Sequence, residues 1–274
     1  RTPSVIFKNL RYPVSMQLEP KILHEDKNIL LIDKPAGMLV HGIYHKGEAK
    51  HHEETLVDWL VTKYPEIKNV GDVPSQRGGI VHRLDRETSG VMVIARTQEA
   101  FHFLKKQFQN HTVQKTYQTL VWGRVKNDTG IINKPISIVD GTVRRTVFKG
   151  KMKREAITEY EVLRYYNLRE SASSDRRSSA TFTLVKVMPK TGRTHQIRVH
   201  LSSIGHSIVG DKLYGKKRQG LAVNGQMLNR HFLHASQIEF ISPSGKKITA
   251  TSELPDDLRQ TLTSLTSESE SGSV

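Results

Sequence analysis

Residues 79–96 read Gly79-Ile80-Val81-His82-Arg83-Leu84-Asp85-Arg86-Glu87-Thr88-Ser89-Gly90-Val91-Met92-Val93-Ile94-Ala95-Arg96. Two apolar, β-branched segments flank a polar turn in which one acidic residue stands between two arginines. A carboxylate so placed stays ionised when water is stripped from it, because a guanidinium within reach offsets the desolvation that raises its pKa. At about 4 Å and an effective dielectric near 20, one such pair contributes roughly 4 kcal/mol of attraction. The stretch reads as strand, charged turn, strand, with Asp85 available as a buried anion. The charges by themselves favour a plainer alternative, an exposed ion pair worth under about 1 kcal/mol, so the rest of the chain has to decide.

The chain has 274 residues and no cysteine. It is long enough to bury a core without disulfides, and it lacks both thiolate nucleophiles and Cys-based zinc sites. The longest apolar runs, such as residues 90–95, are far too short to span a bilayer, and no signal-peptide pattern opens the sequence. A cytoplasmic protein with no membrane partner is expected. Lys and Arg number 42 against 27 Asp and Glu, giving a formal charge of +15 and a pI near 9.9. That excess favours a polyanionic partner, nucleic acid ahead of membrane because no basic amphipathic helix stands out. Arg144, Arg145, Lys149, Lys151, Lys153 and Arg154 crowd one turn-rich stretch, where phosphate contact and plain solvation are equally good readings.

Just beyond Arg96, Thr97 is placed to cap a helix whose face is Phe101, Leu104 and Phe108, ending near Asn110. A strand over 113–123 follows, with Tyr117, Thr119 and Val121 on one face. Segments 156–166 and 180–188 form a hairpin across a Ser-rich connection at 167–179, and 233–241 with 247–251 form another around Ser242-Pro243-Ser244-Gly245. Upstream, residues 28–33 read as a strand stopped by Lys34-Pro35-Ala36-Gly37, and 55–64 as a short helix burying Leu56, Trp59 and Leu60. Residues 1–20 read as a basic extended arm and 260–274 as a disordered Ser/Thr/Glu-rich tail, which leaves 21–259 as the folded domain. His41, His45, His51 and His52 lack a clear carboxylate partner and read as a polar loop, not a metal site.

Two further stretches bear on chemistry. In Thr191-Gly192-Arg193-Thr194-His195-Gln196-Ile197-Arg198-Val199-His200-Leu201, Thr194 is placed to cap a helix that buries Ile197, Leu201 and Ile204. His195 and His200 fall roughly 140° apart around such a helix and do not converge on one metal. Gly210-Asp211-Lys212-Leu213-Tyr214-Gly215-Lys216-Lys217 imitates a phosphate-binding loop, but Lys217 stands where Ser or Thr should ligate magnesium, so no nucleotide cofactor is expected.

Three strings taken together resemble the RluA-type RNA pseudouridine synthases: His82-Arg83-Leu84-Asp85; Lys115-Thr116-Tyr117 followed by Leu120-Val121-Trp122-Gly123; and the run from Arg193 to His200. Gly-Asp-x-x-Tyr-Gly at 210–215 also recurs in that family. The resemblance covers about residues 18–259 and implies an α+β fold: a mostly antiparallel, bent central sheet with flanking helices, and two lobes around a cleft. It implies isomerisation of a uridine in RNA to pseudouridine, without metal or nucleotide cofactor. Asp85 is then the catalytic residue, as nucleophile at C1′ or as base at C2′. Arg198 pairs with it through a fork that lysine reproduces poorly, and Tyr117 faces it across the base. Ile197 packs near the target base, and Arg83 fills the space of a flipped nucleotide. His82, Arg193 and His195, from the same strings, join the RNA-binding set.

The implied partner is ribosomal RNA of the large subunit, with tRNA as the alternative, and the expected state is a monomer. Many relatives open with a small RNA-binding module that residues 1–20 are too short to form. Two rival readings are separable. A non-catalytic RNA-binding assembly factor has no need to keep Asp85, Tyr117 and Arg198 together, and a hydrolase needs a second carboxylate, of which Glu87 is the nearest in sequence.

Overall fold

The computed structural model describes residues 18–42, 53–168, 180–215 and 228–268, with the backbone alone at 44–45, 48–49, 222–223 and 226–227. Most of the expected arm (1–17), the Ser-rich connection from 169 to 179 and the last residues of the tail (269–274) lie outside the described residues. So do the side chains of His45, His51 and His52.

A 10-stranded sheet organises the chain. Its strands are Lys21–Glu25 (β1), Ile29–Lys34 (β2), Ser89–Ala95 (β3), Gln114–Trp122 (β4), Thr129–Asn133 (β5), Ile157–Leu168 (β6), Thr181–Pro189 (β7), Leu233–Ile241 (β8), Lys247–Thr251 (β9) and Leu265–Ser267 (β10). The order is β1-β2-β3-β8-β4-β7-β6-β10, with β9 paired to β8 and β5 paired to β6. Every pairing is antiparallel except β3 with β8. With helices Leu56–Lys63 (α1), Gln98–Gln109 (α2), Gln196–Ser203 (α3) and Asp256–Thr263 (α4) packed on it, this is the α+β architecture that the resemblance implied.

The strand after the charged turn is buried throughout, and its two-residue period serves two cores. Met92 and Ile94 pack with Leu56, Trp59 and Leu60 of α1, whereas Val91, Val93 and Ala95 pack with Phe101 and Leu104 of α2. Each such side chain contributes roughly 1.5–3 kcal/mol when fully buried. Thr97 caps α2 as read, its side chain accepting the Ala100 N–H at 3.2 Å, and at the start of α1 Thr55 and Asp58 form a reciprocal capping box. A third core, built on β4, β6 and β7, takes in Ile197 and Leu201 of α3 and Leu258 of α4. Tyr117 touches both this core and that of α1, so it stands at the seam between the two halves.

The parallel junction depends on Gly90. Its φ is +119°, and a Cβ there would lie 2.2 Å from the Ala235 carbonyl oxygen, on the residue it pairs with in β8. Gly90→Ala is expected to cost about 2–3 kcal/mol from backbone strain alone, lowering Tm by about 2–4 °C per kcal/mol in a protein of this size. An unchanged melting curve would show that the two strands separate easily here.

Two expectations need correction. The segment after 259 is not all tail: α4 runs to Thr263, and β10 pairs with Tyr166, Asn167 and Leu168. Leu258, Leu262 and Leu265 sit four and then three residues apart and reach the large core, a pattern that average Ser/Thr/Glu composition conceals. Nor does Thr194 cap α3. The cap position is His195, in the left-handed region at φ 57°, with no side-chain capping bond. Gln196 secures the helix start instead, accepting from the Arg193 N–H at 3.0 Å and the Thr191 hydroxyl at 2.7 Å. Its amide donates to the Ile157 carbonyl and Thr158 Oγ1 of β6.

Candidate active site

A cleft of about 770 Å³ opens at the seam, and every candidate residue named from the sequence lines it: His82, Arg83, Asp85, Tyr117, Arg193, His195, Ile197 and Arg198. The centre is Asp85, whose side chain is 20 % exposed. Its Oδ2 accepts from the Arg198 guanidinium at 2.9 Å, and His195 Nε2 lies 3.8 Å from the same oxygen. Burial works to raise the Asp85 pKa, but the positive groups facing it hold it below the usual carboxylate value of 3.8. Burial also lowers the pKa of His195 from its usual 6.5. At neutral pH Arg198 is therefore the charge that keeps Asp85 ionised.

Arg198 bridges two carboxylates. Besides Asp85, it donates from Nε and the second amino group to Asp211 at 2.8 and 3.0 Å. Asp211 has a side-chain exposure of 0 %, and it also accepts the backbone N–H groups of Leu213 and Tyr214 at 2.9 and 3.0 Å. Burial opposes the guanidinium charge, and its hydrogen bonds to Asp211, with the charges of Asp211 and then Asp85, outweigh it. This is a largely buried, fork-shaped, hydrogen-bonded ion network of the kind that fixes geometry.

Tyr117 projects from β4 into the cleft. Burial, and after it the charge on Asp85, push its phenol pKa up, so the hydroxyl stays protonated. That suits contact with a base and makes Tyr117 a weak proton acceptor. Ile197 offers an apolar wall from the first turn of α3. Arg83 is exposed and donates to His41 Nε2 at 2.8 Å, and the other ring nitrogen of His41 is 2.9 Å from the Gly42 carbonyl. Arg193 donates from Nε to the Glu155 carbonyl at 2.9 Å.

His82 is turned inward. Its ring stacks on Phe108 at 4.6 Å, its Nε2 accepts the Val93 N–H at 3.1 Å, and burial pushes its pKa down to about 3. It fastens the loop to β3 as a neutral group. His195 and His200 diverge as expected, since His200 bonds to Thr158 and the Lys134 carbonyl and not to anything in the cleft.

Above α3 sits a three-stranded flap, Ile136–Ile138, Arg145–Thr146 and Lys151–Arg154. Arg144, Lys149, Lys151, Lys153 and Arg154 are exposed on it, and Arg154 reaches the cleft lining. Underneath, Ile136 and Val147 pack against Val199 and Tyr214.

The family described as RNA pseudouridylate synthase matches residues 28–203. The chain belongs to this family. A relative named as an RNA pseudouridine synthase, from Aquifex aeolicus, is 42% identical over 198 residues, covering 72% of this chain and 56% of its own. The ribosomal large subunit pseudouridine synthase D of Nitrosomonas europaea is 39% identical over 243 residues, covering 87% of this chain and 63% of its own. The chain thus spans about three fifths of the length of these two relatives. The solved structure of human RNA pseudouridylate synthase domain containing 4 superposes with a TM-score of 0.63 at 26% identity, covering 90% of this chain and 94% of that one.

Sequence reasoning missed several residues on which this RNA pseudouridylate synthase fold relies around Asp85. Lys34 is fully buried, and its ammonium donates to the carbonyls of Pro35, Met38 and Arg86 at 2.7, 3.0 and 3.1 Å. Burial pulls its pKa down to about 7, while three carbonyls favour the charged form that has a proton for each. Arg230, 6 % exposed, donates to the Glu87 carbonyl and to Asp257 of α4. Thr88 and Ser89 bond to the buried rings of His231 and His234 at 2.8 and 2.9 Å. The turn that carries Asp85 is thereby tied to three distant segments. The strings Asp33-Lys34-Pro35 and Gly210-Asp211 were in view, but nothing local says that a lysine or aspartate there will be buried.

Proposed function

We propose that this chain is an RNA pseudouridine synthase acting on a uridine of large-subunit ribosomal RNA. The observation that carries this reading is the single carboxylate of the cleft. Asp85 is kept ionised by Arg198 beside a neutral phenol and an apolar wall, while Asp211, which lies behind Arg198 and outside the cleft lining, is committed to Arg198 and two backbone N–H groups. Hydrolysis of a glycosidic bond usually needs a second free carboxyl group as acid and base. Isomerisation does not: the N1–C1′ bond breaks, the uracil turns within the cleft, C5 bonds to C1′, and the proton that C5 releases to water is balanced by one that N1 takes up.

A stacked base cannot reach Asp85, so the target nucleotide is flipped out, at a cost of a few kcal/mol that is least in a loop. Arg83, exposed beside the cleft, occupies the vacated position, and the cations of the flap meet the phosphates. The large-subunit assignment rests on the name of the Nitrosomonas europaea relative.

The test is incubation of the purified protein with large-subunit RNA carrying tritium at C5 of uridine. Release of tritium to water, with no free uracil, is the expected result. Free uracil would make the protein a hydrolase, and no tritium release from either ribosomal or transfer RNA would end the proposal. RNA affinity in the same assay should drop roughly 100-fold between 50 and 200 mM salt if about four flap cations meet phosphates.

A further inference from the structure

Tyr214 is absent from the candidate set, yet its hydroxyl sits between the flap and the reacting carboxylate. The group is buried, accepts the Arg145 backbone N–H at 2.8 Å, and lies 3.0 Å from His195 Nδ1. Among the described residues these are its only hydrogen-bond partners. We propose that Tyr214 is a positioning residue whose hydroxyl donates to His195 Nδ1, thereby placing the imidazole proton on Nε2 and aiming it at Oδ2 of Asp85.

Two independent considerations require this direction. The Arg145 N–H has only a proton to give, so it takes a lone pair of the tyrosine oxygen. The hydroxyl proton must then find an acceptor, and His195 Nδ1 is the one within reach, because a buried unsatisfied O–H is costly. At the other end of the ring, Nε2 stands 3.8 Å from the Asp85 carboxylate. An N–H there is attracted to the anion, whereas a lone pair would be repelled.

The left-handed backbone of His195, at φ 57°, holds the ring in this place. Both contacts of the Asp85 carboxylate, from Arg198 and His195, then fall on Oδ2. The chain also joins the flap to the chemistry, since the N–H that orients the tyrosine belongs to the flap strand Arg145–Thr146. This inference rests on the synthase reading for its kinetic arm only.

The experiment compares wild type with Tyr214→Phe, which keeps the ring that packs against Val199 and Ile136. In protein labelled with 15N-histidine, the His195 signals are assigned by their loss in His195→Asn. Wild type should show a neutral ring protonated at Nε2, and Tyr214→Phe should lose that single tautomer. Its kcat should fall about tenfold, the worth of one hydrogen bond, with KM held and Tm lowered by only a few degrees, because the Arg145 N–H loses its acceptor. In the His195→Asn background the same change should have no further effect.

An Nδ1–H ring in the wild type would overturn the proposal whatever the activity. So would an altered tautomer with unchanged kcat, or a loss of activity that follows a loss of Tm while the tautomer stays. Failure of the synthase reading is distinguishable, because it appears as absent tritium release from the wild type.

Discussion

Replacing Asp85 with asparagine should lower kcat for pseudouridine formation by at least about 10³-fold, the scale of losing a nucleophile or a general base. Affinity for RNA should hold within a few-fold. Asparagine has the same shape, so its amide oxygen still accepts from Arg198, and Arg198 keeps both bonds to Asp211. The fold therefore survives. Asp211 is buried and engaged, Tyr117 is held as a neutral phenol, and His195, in the orientation inferred above, turns an N–H and not a lone pair toward the site, so none of the three takes over. Removing one negative charge from a basic cleft does nothing to weaken attraction for a polyanion. Asp85→Glu restores the charge but displaces it by about one methylene, and a shift of that size costs roughly 10²-fold. Tritium release by Asp85→Asn above a few per cent of wild type would remove this carboxylate from the chemistry, under either of its possible roles.

The sheet was readable to the extent that its strands advertise themselves. The apolar run of β3, the cap at Thr97, and both hairpins follow from local patterns that tertiary structure then respects. The one parallel pairing was not readable. Residues 89 and 90 meet 234 and 235, and the sole local sign is a glycine, which sequence alone assigns to any turn. The leucines of α4 and β10 were lost for a different reason, since averaging over composition discards spacing.

For the site, the limit was again distance along the chain. Asp85 and Arg198 are 113 residues apart, and only the family strings brought them together in advance. Asp211 was weighed as part of a phosphate loop and set aside once that loop failed on Lys217. Its actual partner was unrecognisable because burial, which makes an ion pair strong, belongs to the packed state. Thr194 shows the converse error: a good capping residue loses its place when a left-handed His195 and the side chain of Gln196 hold the helix start more firmly.

Arg198→Lys should be the second most damaging single change, with kcat reduced about 10²-fold or more and the acid limb of the pH profile moved to higher pH. Arg198 reaches Asp85 and Asp211 with three separate N–H groups. One ammonium cannot serve both carboxylates in that geometry. Whichever acid loses the guanidinium loses much of what offsets its burial, and burial raises a carboxyl pKa.

The sign of the stability change follows from the same groups. In wild type both folded-state pKa values lie below 3.8, so the stabilisation is present above that value and disappears as pH falls through the lower folded ones. In the variant the deserted carboxyl titrates higher than in wild type, and acid unfolding begins at higher pH. Asp211→Ala removes the partner from the other side, leaving Arg198 buried with Asp85 alone, and should cost about 3–5 kcal/mol of stability. Its residual activity should fall as well, because Asp211 fixes the guanidinium that aims Asp85. If Arg198→Lys kept both wild-type turnover and the wild-type acid limb, the guanidinium bridge would not be what holds Asp85 ionised, and the cleft would have to be rebuilt around another charge.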